Sequence, residues 1–74
     1  MRLTYDGVAD AAYIHLADFA RAGEVAHTAA AMLELDRAFV SFDVDAHGRV
    51  LGIEILGASR VLRAEALRAA EQIG

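Results

Sequence analysis

Two runs rich in β-branched and aromatic residues, Phe39–Val44 and Val50–Leu56, stand on either side of Asp45-Ala46-His47-Gly48. Asp at the first and Gly at the fourth position of that tetrapeptide suit a type I turn, so the segment is predicted to close an antiparallel hairpin. The hydrophobic pattern then selects a register. Pairing Phe42 with Leu51 and Val40 with Ile53 gathers these four residues and Ile55 on one face. The other face receives Ser41, Asp43, Val50, Gly52 and Glu54. A slip of one residue sets Val40 against Glu54 and Ser41 against Ile53, which mixes the two faces.

The rest of the chain is read around this hairpin. Met1, Leu3 and Tyr5 alternate as in a strand, and Asp6-Gly7 signals a turn. In a second strand Ala12, Ile14 and Leu16 share one face, with Ala11, Tyr13 and His15 on the other. Residues 17–23 lose periodicity and read as a loop, and residues 24–28 begin a third strand. Residues 29–36 have helix-forming composition with Thr28 available as N-cap, and a strand is the open alternative. After Gly57-Ala58, Ser59 suits an N-cap, and Leu62, Ala66, Ala69, Ala70 and Ile73 form a stripe at helical spacing. The expected fold is α+β: a small antiparallel sheet of hairpins with a C-terminal helix, one domain over residues 1–74.

Size limits what such a domain can do alone. At 74 residues and 7.9 kDa the core is small, and seventeen of the residues counted as hydrophobic are alanine. The strands carry neither Pro nor Lys to blunt an open edge. Self-association, as a homodimer, is therefore expected. A net charge of −4 argues against nucleic-acid binding, which draws on a basic surface. There is no apolar run long enough to span a membrane and no leader-like opening, so a cytoplasmic protein is expected. Without cysteine there is no disulfide, thiolate zinc site or thiol chemistry.

The acids around the turn invite one sharper reading. Asp43, Asp45, His47, Gly48 and Glu54 occupy positions 1, 3, 5, 6 and 12 of an EF-hand calcium loop, where oxygen ligands converge on the cation. Against it, imidazole is a poor ligand for a hard cation. Residues 53–57 are also β-branched and end in Gly where a helix should begin. In the register chosen above, Asp43 and Glu54 stand two rungs apart on the outer face. The expectation is a turn with solvated acids, with Asp43, Asp45 and Glu54 as a candidate acidic surface site and no catalytic residue, metal or cofactor assigned. His15 and His27 would face each other if the second and third strands pair, but no third ligand is fixed. Asp6, Asp10 and Asp18 sit at turn or strand-end positions, where Asp serves local hydrogen bonding.

Leu3-Thr4-Tyr5-Asp6, the segment from Ala9-Asp10-Ala11 through Tyr13-Ile14 to Asp18, and Gly48-Arg49-Val50-Leu51-Gly52-Ile53-Glu54-Ile55-Leu56 followed by Ala58-Ser59 together resemble the YuzE-like family of small bacterial proteins. The resemblance covers residues 1–59. The chain departs from the family by a longer stretch between Thr28 and Asp43 and by a tail over residues 60–74 that is read as helical. It implies a compact domain dominated by antiparallel strands, with no catalytic residues to carry over and a hint of toxin–antitoxin-like pairing with a protein partner. Two classes of function follow. One is a non-catalytic binding or assembly module, favoured because no nucleophile, base and oxyanion donor cluster in the sequence. The other is a small metal-dependent or hydrolase-like enzyme using Asp43, Asp45 and Glu54.

Overall fold

The computed structural model describes residues 1–16, 23–30 and 37–74. Its elements are β1 (Arg2–Asp6), β2 (Ala11–His15), β3 (His27–Ala30), β4 (Phe39–Val44) and β5 (Val50–Leu56), followed by a 3-10 turn (Ala58–Arg60), α1 (Ala64–Ala69) and β6 (Glu71–Ile73). The strands form one sheet in the order β3-β4-β5-β2-β1-β6. Every pairing is antiparallel except β1 with β6, which run parallel. The α+β class stands: among the described residues there is a mixed and mostly antiparallel sheet with one short helix near the C-terminal end.

One face of the sheet is covered. Ala12, Ile55 and Ala58 are buried there, with Leu3, Tyr5, Ile14, Val40 and Ile53 from the strands and Val61, Leu62 and Leu67 from the C-terminal segment packed around them. The alternation of Leu3 with Tyr5, and of Ala12 with Ile14, predicts these inward positions. Leu16 lies beyond the end of β2 and is exposed. Among the described residues the most completely buried are alanines, Ala58 at 0% and Ala12 at 1% exposure, which contribute little apolar area each.

Beyond the bulge the hairpin forms with the predicted faces but another register, whereas Val50, expected on the other face, lies between two offsets and pairs with Val44, on the side of Val40 and Phe42. Phe42 pairs with Ile53 and Val40 with Ile55, not with Leu51 and Ile53. Two one-residue offsets cause this. Asp45 N–H donates to the Arg49 carbonyl, and Gly48 N–H donates to the Asp45 carbonyl, so three residues rather than two lie in the loop. Gly48 supplies the left-handed residue, φ 78°, that such a loop requires. A bulge follows: Val44 pairs with Val50 and Asp43 with Gly52, leaving Leu51 as the extra residue. Either offset alone would exchange the faces; together they restore them.

Other expectations are corrected. Ser59 caps no helix, because the chain makes a 3-10 turn there and α1 begins only after Arg63. The stripe from Leu62 to Ile73 is not one helical face: α1 ends at Ala69, Ala70 is extended, and Ile73 lies in β6. Pairing of residues 71–73 with β1 outweighs their helix propensity. The 60–74 tail is thus part helix and part strand. The third strand lies at His27–Ala30 rather than over residues 24–28, and Thr28 is a strand residue instead of an N-cap. Residues 31–36 of the ambiguous segment, and 17–22 of the expected loop, lie outside the described residues.

Candidate functional site

The other face, which no described element covers, displays its side chains in rows fixed by strand register. One row runs Arg2, His15, Gly52, Asp43, Thr28. The next runs Glu71, Thr4, Tyr13, Glu54, Ser41. A third carries Ile73, Asp6, Ala11, Leu56 and Phe39, with Phe39 73% exposed.

Gly52 interrupts the first row, and Tyr13 leans diagonally into the gap. A Cβ at position 52 would collide with the Tyr13 hydroxyl and ring. The Tyr13 hydroxyl thereby reaches Asp43 and donates to its Oδ2 at 2.6 Å, while the Thr28 hydroxyl donates to Oδ1 at 2.8 Å. This chain ties β2 through Asp43 of β4 to the outer strand β3, bypassing β5. Burial, then the hydrogen bond and charge of Asp43, pushes the Tyr13 hydroxyl up to about 12.

The candidate acids separate into different roles. Counted along the open face, Asp43 and Glu54 stand on neighbouring rungs rather than two apart, with the inward Phe42–Ile53 pair between them, because Asp43 pairs with Gly52 and Glu54 with Ser41. Asp45 belongs to the turn. Its carboxylate accepts from the backbone N–H of His47 and Arg49 and from Arg49 Nε at 3.0 Å. The Arg49 backbone N–H leads in holding its carboxyl below the ordinary range. The segments that would be the two EF-hand helices are strands β4 and β5. No group of three or more His, Cys, Asp or Glu among the described residues is placed to hold a metal ion. His15 and His27 do not face each other, since β3 pairs with β4, and both β4 and β5 separate it from β2.

At the other side of the face, β2, β1 and β6 line an open hollow of about 370 Å³ with Arg2, Thr4, Tyr13, His15, Glu71 and Ile73. Thr4 is buried, with 4% exposure, and its Oγ1 lies 3.2 Å from His15 Nε2. The Tyr13 and His15 rings are 4.6 Å apart and tilted by 59°. Arg2 Nε meets Glu71 Oε2 at 3.3 Å on the rim. The sequence singles out neither Arg2, Thr4 nor Glu71, since a mixed row of single residues on three strands leaves no local motif. Gly52 within a strand was the available signal for Tyr13.

Asp10, one of the turn acids, has a structural task. With φ 53°, it lies in the left-handed region, and its carbonyl accepts from the N–H groups of Gly57 and Ala58. Its Oδ1 accepts from the Tyr5 hydroxyl at 2.7 Å and from Ser59 N–H, and its Oδ2 accepts from the Ser59 hydroxyl at 2.7 Å. Asp6 Oδ1 accepts from Val8 and Ala9 N–H and shapes the same turn. The Ser59 hydroxyl, then Tyr5, holds the Asp10 carboxyl below the usual range. The motif strings at the two ends of residues 1–59 thus meet in one latch between the β1–β2 turn and the exit of β5.

A small α+β domain with a covered apolar face and a polar open face is what these residues build. The chain belongs to the family described as Protein of unknown function (DUF2283), whose model matches residues 2–59. That span ends at the latch residue Ser59. No curated protein and no solved structure matches the chain. Among the described residues no helix is long and apolar enough to cross a membrane.

Proposed function

We propose that this chain is a YuzE-like, cytoplasmic, non-catalytic binding or assembly module, which self-associates as a homodimer through β3. Pairing with a protein partner, as in a toxin–antitoxin-like couple, would use the same edge. The carrying observation is β3 itself. Among the described residues it is an outermost strand, paired with β4 alone, and all four of its residues, His27 to Ala30, are exposed. Thr28, Ala29 and Ala30 carry no charge against the approach of an identical strand. A two-fold axis beside β3 would extend the sheet and let one surface satisfy itself. The size of the chain supports the same reading, because a domain of 74 residues gains from the area a partner buries.

The acids favour binding over catalysis. Asp43 accepts two hydroxyls and Asp45 is engaged by its own turn, so neither is poised as a general base or metal ligand. Sedimentation equilibrium tests the proposal. The expected mass rises from 7.9 kDa toward twice that value by about 100 μM protein, the range in which weak association shows. Ala29→Lys, which places a charge on the edge, is expected to hold the protein monomeric. A mass that stays at 7.9 kDa removes the dimer.

A further inference from the structure

We infer that the hollow between β2, β1 and β6 is a binding site for a small organic carboxylate, an anionic head on an apolar or aromatic body. It lies on the β6 side of the sheet, away from β3, and does not depend on the dimer. Its volume, about 370 Å³, falls in the range of small-ligand sites, roughly 300–1,000 Å³. The lining divides by chemistry. Ile73 and the rings of Tyr13 and His15 supply apolar surface, and the tilted pair of rings forms a wall against which a flat body can lie. The Tyr13 hydroxyl is turned away to Asp43, so its ring rather than its oxygen is presented. Among the described lining residues Arg2 supplies a permanent cation, and a guanidinium recognises carboxylate by paired hydrogen bonds.

Glu71 strengthens this assignment. It sets a carboxylate against Arg2 from an exposed, three-residue edge strand, at 3.3 Å and with more than half of both side chains in solvent. Such an exposed pair is held weakly, so an incoming carboxylate can replace Glu71 at the guanidinium. Glu71 thus occupies in the unliganded chain the place the ligand's head would take, and it acts as an internal competitor. Both Glu71 and Ile73 lie beyond the family-matched residues 2–59, so this part of the site belongs to the chain's own C-terminal segment.

The test is titration of the full chain with benzoate, followed by two-dimensional NMR and calorimetry, with benzyl alcohol as the uncharged control. A probe this small is expected to bind with a dissociation constant of about 1–10 mM, shifting the resonances of Tyr13, His15 and Ile73 saturably. Glu71→Gln is expected to tighten benzoate several-fold, and Arg2→Met to weaken it at least tenfold while the spectrum stays folded. Benzyl alcohol is expected to bind much more weakly than benzoate. Three results would overturn the proposal: shifts that stay linear with benzoate, equal affinity for the alcohol, or a Glu71→Gln variant that binds no better than the parent.

Discussion

Replacing Gly52 by Ala probes the packing that organises the open face. Gly52 lies within β5, and its backbone is not left-handed. In such a position Ala alone should stabilise by about 0.4–1 kcal/mol, by restricting the unfolded chain. Here the added methyl meets the Tyr13 hydroxyl, Cε1 and Cζ, so the side chain must leave its place over β5. Overpacking of this kind costs about 1–3 kcal/mol. In a Tyr13→Ala background the obstacle is gone, and Gly52→Ala should become stabilising. The difference between backgrounds is then about 1.4–4 kcal/mol, larger than the few tenths by which independent sites depart from additivity. Tyr13→Phe keeps the ring and loses only the hydroxyl, so Gly52→Ala should remain destabilising there. Urea unfolding of all variants at one protein concentration measures the cycle. Equal effects of Gly52→Ala in the parent chain and in the Tyr13→Ala background would refute the proposed contact.

Three further outcomes are expected. The lowered Asp10 carboxyl stabilises the fold fully above the unfolded carboxylate range, and that contribution is lost as pH falls through the folded value. Asp10→Asn should flatten the acid limb of a stability–pH curve, and an unchanged limb would count against the latch. The Tyr13 hydroxyl, raised to about 12, favours the fold up to the unfolded phenol's range and loses that contribution as pH rises through the folded value. Ultraviolet titration should show both tyrosines titrating later than a free phenol, Tyr5 through its hydrogen bond to Asp10 and Tyr13 last, and Asp43→Asn should bring Tyr13 down. Ile55→Ala, at a core position only 6% exposed, should cost about 2–5 kcal/mol, whereas Phe39→Ala on the open face should stay within about 0.5 kcal/mol in urea unfolding of the monomer.

The inward residues of the first two strands and the face partition of the hairpin were legible because period-2 alternation reports which side a residue takes. Register was not. Turn composition suits both a two- and a three-residue loop, and nothing local to Leu51 announces the bulge that follows. The tail was misread for a related reason. Glu71, Gln72 and Ile73 continue a helix-favouring sequence, and only the edge of β1, nearly the whole chain away, draws them into a strand. The same limit applies to the open face. Asp43 and Glu54 stand out as acids near a turn, but the Tyr13–Asp43–Thr28 chain joins residues from three strands, and the hollow takes Arg2 from one end of the chain and Glu71 from the other. Tyr5, Asp10 and Ser59 were visible as parts of a family pattern, and their shared hydrogen bonds supply its physical content.

Hydrogen exchange of the backbone amides across a protein dilution series addresses the β3 interface most directly. Pairing of β3 with a second copy predicts that protection of the His27–Ala30 amides rises with concentration from about 1 to 100 μM, while the Glu71–Ile73 amides on the opposite edge stay unchanged. Protection at His27–Ala30 that does not vary with concentration, or that rises only at Glu71–Ile73, would contradict assembly through β3.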